Sequence, residues 1–357
     1  MNHTCNKRRK GLAIAALAGL TALAPWASQA AQVELAPGFK VEQSLLDAAR
    51  KEGKVVFWCS LRAEECSLIT DQFQKMTQIQ AEFVRVSTGP ALTRLSQERM
   101  AGIHSVDIIS HSDQSVWESV YKKKNWLVKY TPEGATHYAD QYKDEDGFYY
   151  AHFLIANGLG YNTKALSGQD VPTSYADLTD PRFKGKIVMP HSSYSGGFTE
   201  TVAILSKLLG WEFFEKLKQN DVMVKAGSQF TLNPIVAGGE RAVAIQGTDA
   251  LFISDRKAGK PVDIVYPKEG TVVNAMYAGL VADAPHPNAG KVLLEWLHSA
   301  PSQTEVAKFN WLVPHPDTQY PAGRPSLKDI KVLTLSPAEA TEQVKQAKQK
   351  FSDLFGG

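Results

Sequence analysis

Pro181-Arg-Phe-Lys-Gly-Lys-Ile-Val-Met-Pro-His-Ser-Ser-Tyr-Ser-Gly-Gly-Phe-Thr-Glu-Thr-Val-Ala-Ile-Leu205 divides into an apolar run that suits a buried strand, a Ser/Gly loop, and a helix. Strand, loop and helix in that order form the repeating unit of an α/β sheet. The first N–H groups of a helix have no intrahelical partner and carry the positive end of its dipole. Ser192, Ser193, Tyr194, Ser195, Gly196 and Gly197 therefore offer donors to a carboxylate or phosphate. The alternative reading is a well-capped helix with no ligand.

The same alternation runs through the chain on both sides of this segment. Residues 54–58, 81–86 and 106–110 read as strands, with helices over 67–76 and 91–101 between them. Ligands of open α/β sheets sit beyond the carboxyl ends of the strands, so the loops at 59–62, 86–89 and 110–112 are expected on one rim. An apolar extended stretch over 149–160 leads into a second lobe. There a helix over 211–219, a loop over 226–230, a strand over 241–246 followed by Gly247, Thr248 and Asp249, and a strand over 262–266 are expected. Residues 276–281 return to the first lobe, and 288–299 form a helix with Val292, Leu293, Trp296 and Leu297 inward. Ser336-Pro-Ala-Glu339 is a capping box, and its helix sets Val344, Ala347, Phe351 and Leu354 on one face. The fold class is α/β in two lobes, each a mostly parallel sheet flanked by helices, with hinged crossovers near 153–160 and 276–281. Lobe 1 takes 31–153 and 282–325, and lobe 2 takes 154–281 and 326–357.

Residues 1–30 have the three parts of a secretory signal: Lys7, Arg8, Arg9 and Lys10, an apolar run over 11–24, and Ser28-Gln29-Ala30 as the site of cleavage. Without them the chain is 327 residues and its formal charge goes from +2 to −2, so nucleic acid is not an expected partner. Cys5 lies ahead of the apolar run, which argues against a lipid anchor. Cys59 and Cys66 remain. In an oxidising compartment they suit a disulfide with a chain-entropy gain of about 2.5 kcal/mol, or else one is simply packed in the core. No zinc spacing accompanies them, and no metal or cofactor is expected.

The chain has no phosphate-binding G-x-x-x-x-G-K-[ST], no G-x-S-x-G, no H-E-x-x-H and no dinucleotide fingerprint, so catalysis is not the expected role. Four segments instead resemble family 1 extracellular solute-binding proteins of ABC importers, in the branch that includes ferric-ion-binding proteins: Glu52-Gly-Lys-Val-Val-Phe57, Phe183-Lys-Gly-Lys-Ile187, Gly239-Glu-Arg-Ala-Val-Ala-Ile245 and Pro261-Val-Asp-Ile-Val-Tyr-Pro-Lys-Glu-Gly-Thr271. The resemblance implies a type II two-lobed periplasmic receptor, monomeric, that closes on one small molecule and docks on a membrane permease with its ATPase subunit. In the ferric branch a tyrosine pair follows the strand corresponding to residues 242–245. Here Gly247-Thr-Asp-Ala-Leu-Phe252 stands in its place, and Tyr149 and Tyr150 fall far earlier.

A small organic anion is therefore the expected solute. The first lobe offers Ser60, Arg62, Ser87, Thr88, His111 and Ser112, and the second offers residues 192–197 with Gln229 and Asp249. Hydroxyls, a guanidinium and a helix N-terminus suit a carboxylate or phosphate, and Asp249 suits an amine or hydroxyl of the same ligand. Trp58, Tyr194, Phe230 and Tyr277 suit aromatic walls. The alternatives are ferric iron held without the tyrosine pair, and a periplasmic enzyme on the same fold.

Overall fold

The computed structural model describes residues 1–4, 31–227, 229–335 and 337–356. From residue 5 onward the expected signal segment lies outside them. In chain order the first elements are β1 (Gln32–Ala36), β2 (Phe39–Glu42), α1 (Gln43–Glu52), β3 (Lys54–Cys59), α2 (Ala63–Thr77), β4 (Gln80–Arg85), α3 (Thr88–Met100), β5 (Ile108–His111), α4 (Gln114–Val116) and β6 (Leu127–Val128). There follow β7 (Tyr150–Asn162), β8 (Ile187–Pro190), α5 (Gly196–Leu209), α6 (Trp211–Gln219), β9 (Met223–Lys225), α7 (Leu232–Ala237), β10 (Val243–Thr248) and α8 (Asp249–Lys257). The last are β11 (Val262–Val265), β12 (Thr271–Val281), α9 (Pro287–His298), α10 (Ala300–Ala307), β13 (Val332–Leu333) and α11 (Pro337–Phe355).

Apart from the β1–β2 hairpin, the strands form one mixed sheet in the order β4-β3-β5-β12-β7-β10-β8-β9. Its two wings are parallel: β4, β3 and β5 on one side, β10, β8 and β9 on the other. Between the wings run β7 and β12, long and antiparallel, in register from Val272 with Asn157 to Ala278 with Tyr150. Both are buried almost throughout, so they read as continuous apolar runs rather than alternating ones. Each wing is thus the parallel sheet expected, while the crossovers add antiparallel pairing that joins the wings into one ladder.

The core divides along these crossovers. Phe153, Ile155, Met276 and Leu280 pack with β3, α2 and α9 in the first wing. Leu159 and Val272 pack with α5, α6 and α11 in the second. Phe351 of α11 is buried against Phe198, Phe214 and His191, a burial worth roughly 1.5–3 kcal/mol that holds the last helix on the second wing. α2 begins at Ala63, earlier than expected, and puts Glu64 and Glu65 in its first turn where the helix dipole favours them. Cys59 at the end of β3 and Cys66 on α2 form a disulfide that closes this turn. Among the described residues no helix is long and apolar enough to cross a membrane.

Candidate functional site

The N-terminus of α5 is built by its own loop. Ser195 is the cap, its hydroxyl accepting from the Phe198 amide at 3.3 Å. The Thr199 hydroxyl donates to the Ser192 carbonyl at 2.8 Å, and the Ser193 amide donates to His191 Nδ1 at 3.1 Å. After these bonds the Gly196 and Gly197 amides have no hydrogen-bond partner among the described residues, and neither has the buried Ser192 hydroxyl. A helix of 14 residues aims its positive end at this point.

Beneath the loop lies a buried amide network that joins both crossover strands. Asn157 of β7 donates to Asn274 Oδ1 of β12 at 2.8 Å, and Gln229 donates to Asn157 Oδ1 at 3.3 Å. Gln246 donates to Asn274 Oδ1 at 3.2 Å and accepts from the Thr201 hydroxyl at 2.5 Å. The Ser195 hydroxyl donates to Gln229 Oε1 at 3.2 Å, which ties the cap to the network. Gln246 stands at a bulge in β10 with φ of 73°, a backbone strain kept at this junction. Gly197 rests directly on the network: a Cβ there would come within 3.0 Å of Asn274 Oδ1 and 3.2 Å of Gln229 Oε1.

Beside the loop is a cavity of about 260 Å³, walled by Ser112 and Gln114 after β5, Tyr142, Tyr277 of β12, Glu200 of α5 and Thr334 before α11, among others. Glu200 accepts from Asn274 Nδ2 at 2.5 Å. Burial pushes its pKa from 4.5 to about 7, against the pull of that bond and with help from the negative charge of Asp113. A carboxyl that holds its proton more tightly folded than unfolded favours folding below 4.5 and loses that contribution as pH rises to about 7. The wild-type minus Glu200→Gln difference in urea midpoint is expected to fall through that window and level off above it. A difference that ignores pH would mean Glu200 titrates like any exposed carboxyl.

Of the expected residues, Ser112 and Tyr277 line the cavity, and a Cβ at Gly196 would stand 3.8 Å from Oδ2 of Asp113, next to Ser112. Ser193 and Tyr194 are exposed at the lip, and Gln229 is consumed by the network. The rest are engaged or stand apart. Arg62 pairs with buried Glu65, which also accepts from Trp311 Nε1 at 3.0 Å, so its guanidinium closes the turn after β3. The Ser60 hydroxyl donates to the Ser110 carbonyl at 2.8 Å. Ser87 and Thr88 open α3 and make no side-chain bond to the loop of residues 192–197. Asp249 stands at the start of α8 rather than in a loop, and its carboxylate meets Arg324 Nη2 at 2.7 Å in a fully buried ion pair. His111 stacks on Trp117 at 4.7 Å, and burial lowers its pKa to about 4, so it is neutral at pH 7. Trp58 is core, with Arg94 over its ring, and Phe230 packs on Trp311.

Asn157, Glu200, Gln246 and Asn274 escaped the sequence reading. Each still left a trace: Glu200 is an isolated acid near the start of an apolar helix, and each asparagine interrupts an apolar crossover strand. Among the described residues no group of three or more His, Cys, Asp or Glu side chains is placed to hold a metal ion.

Two α/β wings on paired crossover strands, with a polar cavity where they meet, define a two-lobed solute receptor. The chain belongs to the bacterial extracellular solute-binding protein family, which it matches over residues 105–340. A putative 2-aminoethylphosphonate-binding periplasmic protein of Salmonella typhimurium is 28% identical over 259 residues, 68% of this chain and 72% of the relative. The fold is that of iron-bound HitA from Pseudomonas aeruginosa, with a TM-score of 0.74 at 18% identity over 85% of this chain and 99% of that one. It is equally that of AfuA from Actinobacillus pleuropneumoniae with fructose-6-phosphate bound, with a TM-score of 0.73 at 20% identity over 84% and 98%. The protein is a solute-binding component of an ABC importer, a class that works with a membrane permease and an ATPase.

Proposed function

We propose that the protein captures a small organic anion in the periplasm, holding a phosphate, phosphonate or carboxylate on the N-terminus of α5, and delivers it to the permease as a monomer. The supporting observation is the set of donors left over there: the Gly196 and Gly197 amides and the buried Ser192 hydroxyl. Charge-assisted bonds to such donors are about twice as strong as neutral ones. The phosphonate in the Salmonella relative's name and the sugar phosphate in AfuA agree with this chemistry. Lobes of 31–153 with 282–325 and 154–281 with 326–357 would close on the solute by bending β7 and β12, which the ligand drives by binding both.

Native mass spectrometry of periplasmic protein, followed by thermal shifts with phosphonates, sugar phosphates, carboxylates, amines and ferric citrate, tests this reading. A phosphonate or phosphate at a hundred times its Kd is expected to add about 2.7 kcal/mol of stability. No response to any anion would end the proposal. Ferric iron is the second reading, favoured by Tyr142, Tyr277 and Glu200 sharing one cavity. Burial pushes both phenols up, which disfavours the phenolates iron prefers. A visible charge-transfer band with ferric citrate and no response to phosphonate would reverse the order.

A further inference from the structure

We propose that the solute is a zwitterion, its ammonium group seated against Glu200 in the cavity while its phosphonate, phosphate or carboxylate rests on the N-terminus of α5. This rests on the anion reading of the same site and adds the second pole of the ligand.

Charge carries the argument first. Glu200 is the one charged side chain in the cavity wall as described, and no Lys, Arg or His lines it. Asp113 adds a second carboxylate beside Gly196, bonded to Ser115 and to the Val116 amide and to no basic side chain. Arg62, the guanidinium nearest in sequence to the rim, is committed to Glu65. A ligand with only negative charge would meet the helix N-terminus and two uncompensated acids together. An ammonium group balances them.

Free bonding capacity points the same way. Glu200 Oε2 accepts from Asn274, and Oε1 has no hydrogen bond among the described residues. The Tyr277 hydroxyl, in a side chain 5% exposed on the cavity wall, has none either. An ammonium group has three donors, and these two oxygens accept. The rings of Tyr142 and Tyr277 add electron-rich walls of the kind that attract cations.

Spacing sets the size of the ligand. Glu200 follows Gly196 by four residues on one helix, so the two share a face and are separated by about 6 Å along the axis. Long helical side chains lean toward the N-terminus, which brings the carboxylate closer still to the free amides. The two poles of the ligand then stand a few bonds apart, as in a two-carbon aminophosphonate or an amino acid.

Isothermal titration of the mature protein with 2-aminoethylphosphonate and with ethylphosphonate tests the ammonium directly, since the pair differs only in that group. Wild type is expected to favour 2-aminoethylphosphonate by tenfold or more, and Glu200→Gln to shrink that preference below threefold by weakening the amine-bearing probe. Equal affinities in wild type, or a preference that survives Glu200→Gln, would overturn the inference while leaving the anion reading standing. Failure of wild type to bind either phosphonate would remove both.

Discussion

Arg324→Leu is expected to lower stability by about 3–5 kcal/mol, read as a shift in the urea midpoint at unchanged slope. Arg324 and Asp249 have almost no exposed side-chain surface, and Nη2 lies 2.7 Å from Oδ2 as an ion pair. The guanidinium also donates to the carbonyls of Asn310 at 2.5 Å and Pro325 at 2.9 Å, and to the Tyr266 hydroxyl at 3.3 Å. It therefore pins the returning chain to the start of α8. Burial pushes the Asp249 carboxyl up, while Arg324, Tyr266 and the Ala250 amide pull it back. Leucine fills part of the space and leaves that carboxylate buried with too few partners. Adding Asp249→Asn removes the orphaned charge, so the double variant should recover at least about 1 kcal/mol of the loss. A single variant within 1 kcal/mol of wild type, or a double variant no better than the single, would show that the pair does not hold this junction.

The same pair shows where sequence reasoning stops. Strands β3, β4 and β8 and helices α6 and α9 were legible within a few residues, because their patterns are local. Residues 211–219 end where expected because Gly210 precedes the helix and its apolar positions Phe213, Phe214 and Leu217 share one face. Asp249 was picked out correctly as an acid at a strand end, yet its partner lies 75 residues on with nothing in the intervening sequence to announce it. Arg62 was read as a cleft residue or a surface partner of Glu64 or Glu65. Glu65 turned out to be buried beneath Trp311, a contact across 246 residues. The loop of residues 192–197 was legible as a cradle because a helix N-terminus is a local property. Its floor was not, since the amide network draws one residue each from β7, β10 and β12 and one from the turn before α7.

Gly197→Val is expected to weaken binding of 2-aminoethylphosphonate by about 100-fold or more, close to 3 kcal/mol in binding free energy. Glycine is required here by close approach, since its φ is not positive. At 3.0 Å from Asn274 Oδ1 and 3.2 Å from Gln229 Oε1, a single methyl already presses on oxygens that the network holds in place. The branched carbons of valine cannot fit without lifting the first turn of α5. That movement takes the Gly196 and Gly197 amides away from the anion, and charge-assisted bonds of this kind contribute about 1.5–3 kcal/mol each. It also breaks the tie from the Ser195 cap to Gln229, and so uncouples the loop from the crossover strands. Gly197→Ala, which needs a shift of only a few tenths of an ångström, should fall between wild type and valine. Titration of the three proteins, with urea unfolding to confirm that each is folded, decides the matter. A valine variant that is folded and binds within threefold of wild type would place the anion somewhere other than the start of α5.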